Sequence, residues 1–276
     1  MAALFERIGF MTDREFTNIK LDERFRYDGK DLGAVCEEDR TTFKVWSPAA
    51  ERIVLRLYRE DKGAHCMERE MICGEKGVWE LAFERSLHGT YYDYLVRIDG
   101  ADTVTADPYA RACGCNGARS MVVDLRLTDP EGFERDCAPK AQEEQIIYEL
   151  HIKDFSYDRD GGVPEAYRGK YKAFTVKNTG KDYPTCMEYL KSLGVAHVHL
   201  LPFFDYGSVD EAGDERQYNW GYDPLNFNVP EGSYATDAKD GTVRIRECKE
   251  MIRAFHENGL RVIMDVVYNH TYQEDS

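Results

Sequence analysis

The spacing of apolar residues changes once along this 276-residue chain, and that change limits what it can fold into. From residue 41 to residue 125 the sequence runs in short segments broken by turns: TTFKVWSP, ERIVLRLY, GVWELAFE, TYYDYLVRID and SMVVDL. Ile53, Leu55 and Leu57 share one face while Arg56 and Tyr58 lie on the other, and Tyr92, Tyr94, Val96 and Ile98 repeat this two-residue period. Segments of this length between Gly and Pro turns predict an all-β, immunoglobulin-like sandwich at 33–128, with a lead segment at 1–32.

The stretch DPEGFERDCAPKAQEE at 129–144 loses the period and sets two prolines among charges, which is how a surface linker is composed. Beyond it, at 145–276, strands and helices alternate. IIYELHI predicts a strand, and YPTCMEYLKSLG a helix with Pro184 near its first turn and Gly194 as terminator. VAHVHLLPF is the next strand. VRIRECKEMIRAFHENG places Val243, Ile245, Cys248, Ile252 and Phe255 at helical spacing, ends in Gly259 and leads into LRVIMDVVYNH, a third strand. Strands this continuously apolar are typical of a parallel sheet covered on both faces, either doubly wound or a (β/α)₈ barrel. Long segments follow the first two strands, at 156–182 and 203–241, whereas the returns are as short as Gly194 and Gly259. This asymmetry favours the first three β/α units of a (β/α)₈ TIM barrel, whose site is built from the loops after the strands.

Composition narrows the partners. Lys and Arg total 36 against 51 Asp and Glu, and a formal charge of −15 would repel nucleic acid and an anionic membrane surface. The first sixteen residues carry Glu6, Arg7, Asp13, Arg14 and Glu15 among their apolar residues, so no secretory h-region is expected and the chain reads as cytoplasmic. The eight cysteines form no CxxC pairs and read as reduced, including Cys113 and Cys115 in their Gly-rich loop.

Two runs could carry chemistry. QYNWGYDPLNFNVPEGSYATD, at 217–237, is at once aromatic and polar, and Tyr218, Trp220 and Tyr222 either pack on the barrel rim or offer flat faces to a sugar ring. The residues leave both roles open for Trp220 and favour binding for Tyr222. DVVYNH, at 265–270, puts Asp265 in an apolar strand, where a carboxylate needs a cation or several donors. Asn269 and His270 then fall at the strand's C-terminal end, where barrel enzymes place site residues.

YELHIKDFS, GVPEAYRGKYKAF, VAHVHLLPFFDYGSVDE, YNWGYDP and DVVYNH together resemble the α-amylase family of glycoside hydrolases, and YNWGYDP points more narrowly to type I pullulanases. The upstream LGAVCEEDRTTFKVWSPAAERIVLRLY, with DPYARA and NGARSMVVDL, is similar to the β-sandwich, carbohydrate-binding-module-like domain that precedes the barrel in pullulanases, isoamylases and branching enzymes. The resemblance implies a branched α-glucan as partner and hydrolysis of α-1,6 linkages in pullulan, amylopectin or glycogen-derived dextrins. It also implies that Tyr222 stacks under the sugar, that His270 bonds its primary hydroxyl and that Asp265 braces an arginine, with Trp220 and Asn269 in support. Asn269 is a calcium ligand in many amylases of the family, but pullulanases do not uniformly keep the ion; no metal is assigned and no cofactor is expected. The family's retaining mechanism takes an aspartate nucleophile after the fourth strand and a glutamic acid/base after the fifth. Both would lie beyond Ser276, so the 276 residues alone are expected to be inactive, as a gene fragment or a deliberately shortened chain.

Two other readings compete. A carbohydrate-binding module with a barrel remnant would use Trp46 and Trp79 as sugar platforms, although both lie on strand patterns that suit core packing. A metal-dependent barrel hydrolase would use His197 and His199, which share a face of the second strand.

Overall fold

Alternation along each strand builds the first half. The computed structural model describes residues 25–141, 143, 145–177 and 179–273; the lead segment expected at 1–32 therefore lies outside the described residues up to residue 24, as do the charged residues of the first sixteen. The chain divides into two compact units, one ending at Asp124 and joined by residues 271–273, the other spanning Leu125–His270.

The first unit holds two antiparallel sheets. One orders its strands β1 (Gly33–Cys36), β2 (Thr41–Trp46), β6 (Val78–Phe83) and β5 (Ile72–Cys73). The other runs β4 (Met67–Glu70), β3 (Arg52–Tyr58), β7 (Tyr91–Ile98) and β8 (Ala101–Thr105), with β9 (Ser120–Met121) also on β7. Phe43 and Trp79 from the first sheet meet Ile53, Leu55, Leu57, Tyr92 and Tyr94 from the second in one apolar core, the arrangement of a sandwich. Strands β1, β4, β5 and β8 lie outside the five expected segments; for β8 the signal is in the chain, since Asp99 and Gly100 both take positive φ (50° and 75°), the turn that an Asp-Gly pair forms between hairpin strands. On the far face of β3, Arg56 forks onto Asp93 at 2.7 and 2.9 Å, and the Tyr58 hydroxyl donates to the same carboxylate.

The second unit is built on a parallel sheet of β10 (Ile147–Leu150), β11 (His197–Leu200) and β14 (Arg261–Met264), in the order β10-β11-β14. Leu150, Val198 and Leu200 pack with Met251 and Phe255 of helix α3 (Gly241–Glu257) and with Leu190 of helix α2 (Cys186–Ser192), so one sheet face is covered by helices. Helix α3 begins where the Asp240 side chain accepts the Thr242 N–H and stops before Gly259, at φ +80°. The residues expected as a linker at 129–144 lie along this helix. Asp129 meets Lys249, the Glu131 carbonyl takes Arg253, Asp136 meets His256 and the Pro139 carbonyl takes Arg261. Among the described residues no helix is long and apolar enough to cross a membrane.

One expectation needs correction. The 217–237 run is not wholly a loop: β13 (Pro224–Pro230) pairs antiparallel with β12 (Phe204–Tyr206), because the alternating PLNFNVP segment, hidden between Pro and Asn residues, completes a hairpin.

Candidate functional site

The register of the parallel sheet brings the site together. Glu149, His199 and Ile263 are paired across the three strands, and their side chains point away from the helix-covered face that Val198 and Leu200 occupy. Asp265, two residues beyond Ile263, falls on the same side; its N–H donates to the Leu200 carbonyl and holds it in sheet geometry. His199 consequently sits between two carboxylates, with Nδ1 3.4 Å from Glu149 Oε2 and Nε2 3.7 Å from Asp265 Oδ2. Asp265 takes its hydrogen bond from the Tyr222 hydroxyl, at 2.8 Å. That hydroxyl is pushed up to about 12 by burial and by Asp265, so it remains a donor at neutral pH.

Backbone geometry delivers Tyr222 to this point. Gly221 stands at φ +89°, and a Cβ there would fall 2.7 Å from the Pro202 carbonyl oxygen, so only glycine lets the loop approach the end of β11. Asn219 closes the turn on both sides: its Nδ2 donates to the Gly207 carbonyl and to Asp223 Oδ1, and its Oδ1 accepts the Gly221 N–H. His270 Nε2 donates to the Tyr222 carbonyl at 2.6 Å, since a carbonyl can only accept, and its Nδ1 lies 2.8 Å from Asn269 Oδ1. Tyr222, Asp265, Asn269 and His270 thus form one connected set, and Trp220 stands beside it with 60% of its surface exposed.

Where helix α3 meets the β12–β13 hairpin lies a group that sequence reading missed. Asp205, Glu211 and Glu231 offer carboxylate oxygens within 4.8 Å of one another, and the fully buried Arg244 donates to Asp205 at 3.1 Å and to Glu211 at 2.8 Å. Three carboxylates could by donor type hold a metal ion, but here a guanidinium supplies positive charge. It cannot neutralise all three. Burial raises Asp205 to about 7, against the pull of Arg244; burial and then the charges of Glu211 and Asp205 raise Glu231 well above the usual carboxylate range. The signal was only partly legible, since a lone Arg on the buried stripe of α3 requires an acidic partner but does not say which.

The remaining candidates separate. Trp79 is only 6% exposed and donates its indole N–H to the Ser47 carbonyl, so it is core and not a sugar platform. Trp46 is half-buried and donates to the carbonyls of Phe25 and Lys76. His197 is buried with no hydrogen-bond partner for Nδ1 among the described residues, and the three-residue metal-type grouping found among them includes neither it nor His199. All eight cysteines are free thiols, with Cys113 and Cys115 buried.

Residues 31–110 match the family described as carbohydrate-binding module 48 (isoamylase N-terminal domain), and residues 185–276 match the alpha amylase catalytic domain. The pullulanase of Bacillus subtilis (strain 168) is 38% identical over 261 residues, covering 92% of this chain and 35% of its own length. A crystal structure of pullulanase from Paenibacillus barengoltzii in complex with maltohexaose and alpha-cyclodextrin superposes with a TM-score of 0.88 at 42% identity, over 92% of this chain and 40% of that one. The pullulanase from Bacillus acidopullulyticus gives 0.86 at 42% identity, over 91% and 31%. The chain thus spans about a third of the length of the relatives it matches.

Proposed function

The chain belongs to the pullulanases of the α-amylase family, and from that premise we propose that it supplies the sandwich and the substrate-gripping side of a hydrolase that cleaves α-1,6 branch linkages. Pullulan, amylopectin and glycogen-derived dextrins are the substrates this reading names, with retention at the anomeric carbon. The observation that carries it is the convergence of Tyr222, Asp265 and His270 at the ends of β11 and β14. Maltohexaose and alpha-cyclodextrin in the crystals of the Paenibacillus relative support an α-glucan as the ligand class.

In this reading the domains run 33–128 for the sandwich and 145–276 for the first three β/α units of a (β/α)₈ barrel. The Tyr222 ring lies under a glucose unit, where the C–H face of the sugar replaces water. Its hydroxyl stays on Asp265, so the ring's tilt is fixed before sugar arrives. His270, anchored through Nε2 to the Tyr222 carbonyl, has Nδ1 left to exchange Asn269 for a sugar hydroxyl. Cytoplasmic location is part of the proposal, supported by the eight free thiols.

The test is reducing-sugar release from pullulan by a longer polypeptide carrying these residues. Tyr222→Ala should lower kcat/KM by about tenfold or more, the stacking contribution of one aromatic ring. Unchanged kcat/KM in both Tyr222→Ala and His270→Ala would remove the pair from the site.

A further inference from the structure

The motif YELHIKDFS leaves three side chains that the roles above do not use: His151, Lys153 and Asp154, at and within the short helix α1 (Ile152–Ser156) that follows β10. All three reach the same segment of the aromatic loop. Lys153 Nζ donates to the carbonyls of Glu215 and Gln217. Asp154 Oδ2 accepts the Tyr218 hydroxyl at 2.7 Å. His151 Nδ1 accepts the Asp154 N–H, so the ring proton is on Nε2, which donates to the Asn219 carbonyl at 3.0 Å beside the Tyr234 hydroxyl.

Most of these contacts hold the loop by its backbone or by the rim of a ring; the Tyr218 ring also leans on the His151 ring at 5.1 Å between centres, yet Tyr218 is 48% and Trp220 60% exposed. Apolar rings kept at a surface cost stability, and a backbone tied at several points is how a binding surface avoids the ordering cost of association. Lys153 is the unusual member. Its half-buried ammonium is satisfied by carbonyl oxygens and lies 5.2 Å from the Tyr157 ring centre, whereas exposed lysines pair with carboxylates or water. Burial, and then neighbouring Lys170, make its charged form harder to keep. Carbonyl oxygens fix a donor's position more narrowly than a mobile carboxylate would, so the arrangement defines the path of the loop.

We propose that Lys153 is a positioning residue for glucan binding: through the carbonyls of Glu215 and Gln217 it sets the path of the loop, so that Tyr218, Trp220 and Tyr222 stand ready for a run of sugar rings that Lys153 itself does not touch. The inference rests on the glucan reading of the site, and the test separates the two. In the 276-residue chain, Lys153→Met should raise amide exchange at residues 217–221 by about tenfold or more while exchange in the core of α3 is unchanged, and should weaken maltotetraose binding by about tenfold. Lys153→Arg, which restores a cationic donor, should recover most of both. Lys153→Gln, which keeps a shorter, uncharged donor, gives a milder variant if Lys153→Met fails to fold, and should raise loop exchange by a smaller factor. Wild-type loop exchange in folded Lys153→Met, or in Lys153→Gln should the former not fold, overturns the proposal. Wild-type sugar affinity in a Lys153→Met chain with a loosened loop overturns it as well. A parent chain that does not bind maltotetraose at all contradicts the glucan reading, and the exchange comparison still decides whether Lys153 holds the loop.

Discussion

The two units bury carboxylates in opposite ways. In the sandwich, charges and donors are matched locally: Asp93 has Arg56 and Tyr58, and Asp107 is served by the Tyr92 hydroxyl at 2.7 Å and the Tyr109 N–H at 2.9 Å. In the second unit Asp205 and Glu211 share the guanidinium of Arg244, Glu211 also accepts the Gly232 N–H, and the neighbouring Glu231 is held by the backbone N–H groups of Tyr206 and Ser233. A sandwich of hairpins can place a partner across the strand from each polar group, as Asp93 stands opposite Arg56. The hairpin β12–β13 and helix α3 instead meet at Arg244, and charge gathers where they meet.

The largest expected effect breaks that asymmetry. Arg244→Met would leave Asp205 and Glu211 buried without their cation and should destabilise the second unit by about 3–5 kcal/mol, the usual cost of stranding a buried charge. Arg56→Met, at a partly exposed pair, should cost clearly less. Urea unfolding followed by residue-resolved exchange measures both, and equal losses would dissolve the contrast.

The pH response comes next. Asp107 is raised to about 6 by burial, and Asp205 to about 7. Both folded values lie above the unfolded carboxylate value near 4, so the folded state binds the proton more tightly; this stability is fully present below about pH 4 and is lost as pH rises through the folded value. Protection in the sandwich core should therefore stop declining above about pH 6, while protection around α3 should continue to fall towards pH 7. Glu211→Gln, which removes one charge from the cluster, should flatten the second profile and leave the first alone. The same profile in both units would mean that the cluster does not hold an extra proton.

Gly221→Ala should cost about 1–3 kcal/mol, since it combines a positive φ with a carbonyl clash, and the loss should show as faster exchange in the loop. Tyr222→Phe removes a single hydrogen bond to Asp265 and should cost about 0.5–1.5 kcal/mol of second-unit stability.

Much of this was legible in the sequence because periodicity is local. Leu55 and Tyr94 announce a sandwich face, and Val262 and Ile263 a parallel strand, without knowledge of any partner, although that strand is only partly buried and not covered on both faces. The DVVYNH and YNWGYDP runs could be singled out for their residue types, and the structure joins them through the bond from Tyr222 to Asp265. Distant pairings were not legible. Arg244 meets Asp205 across 39 positions, and Lys153 reaches Gln217 across 64; no spacing rule connects such residues. The strand β13 was obscured because Pro and Asn in PLNFNVP read as turn residues, yet an edge strand tolerates both.

The central claim is that the loop at 217–223 and the strand end at 265–270 form one glucan-binding surface. Amide exchange of the 276-residue chain with and without saturating maltotetraose tests it most directly. The account predicts added protection confined to residues 217–223 and 265–270, with the sandwich unchanged. Protection in the sandwich alone, or none at either segment while sugar demonstrably binds, would contradict it.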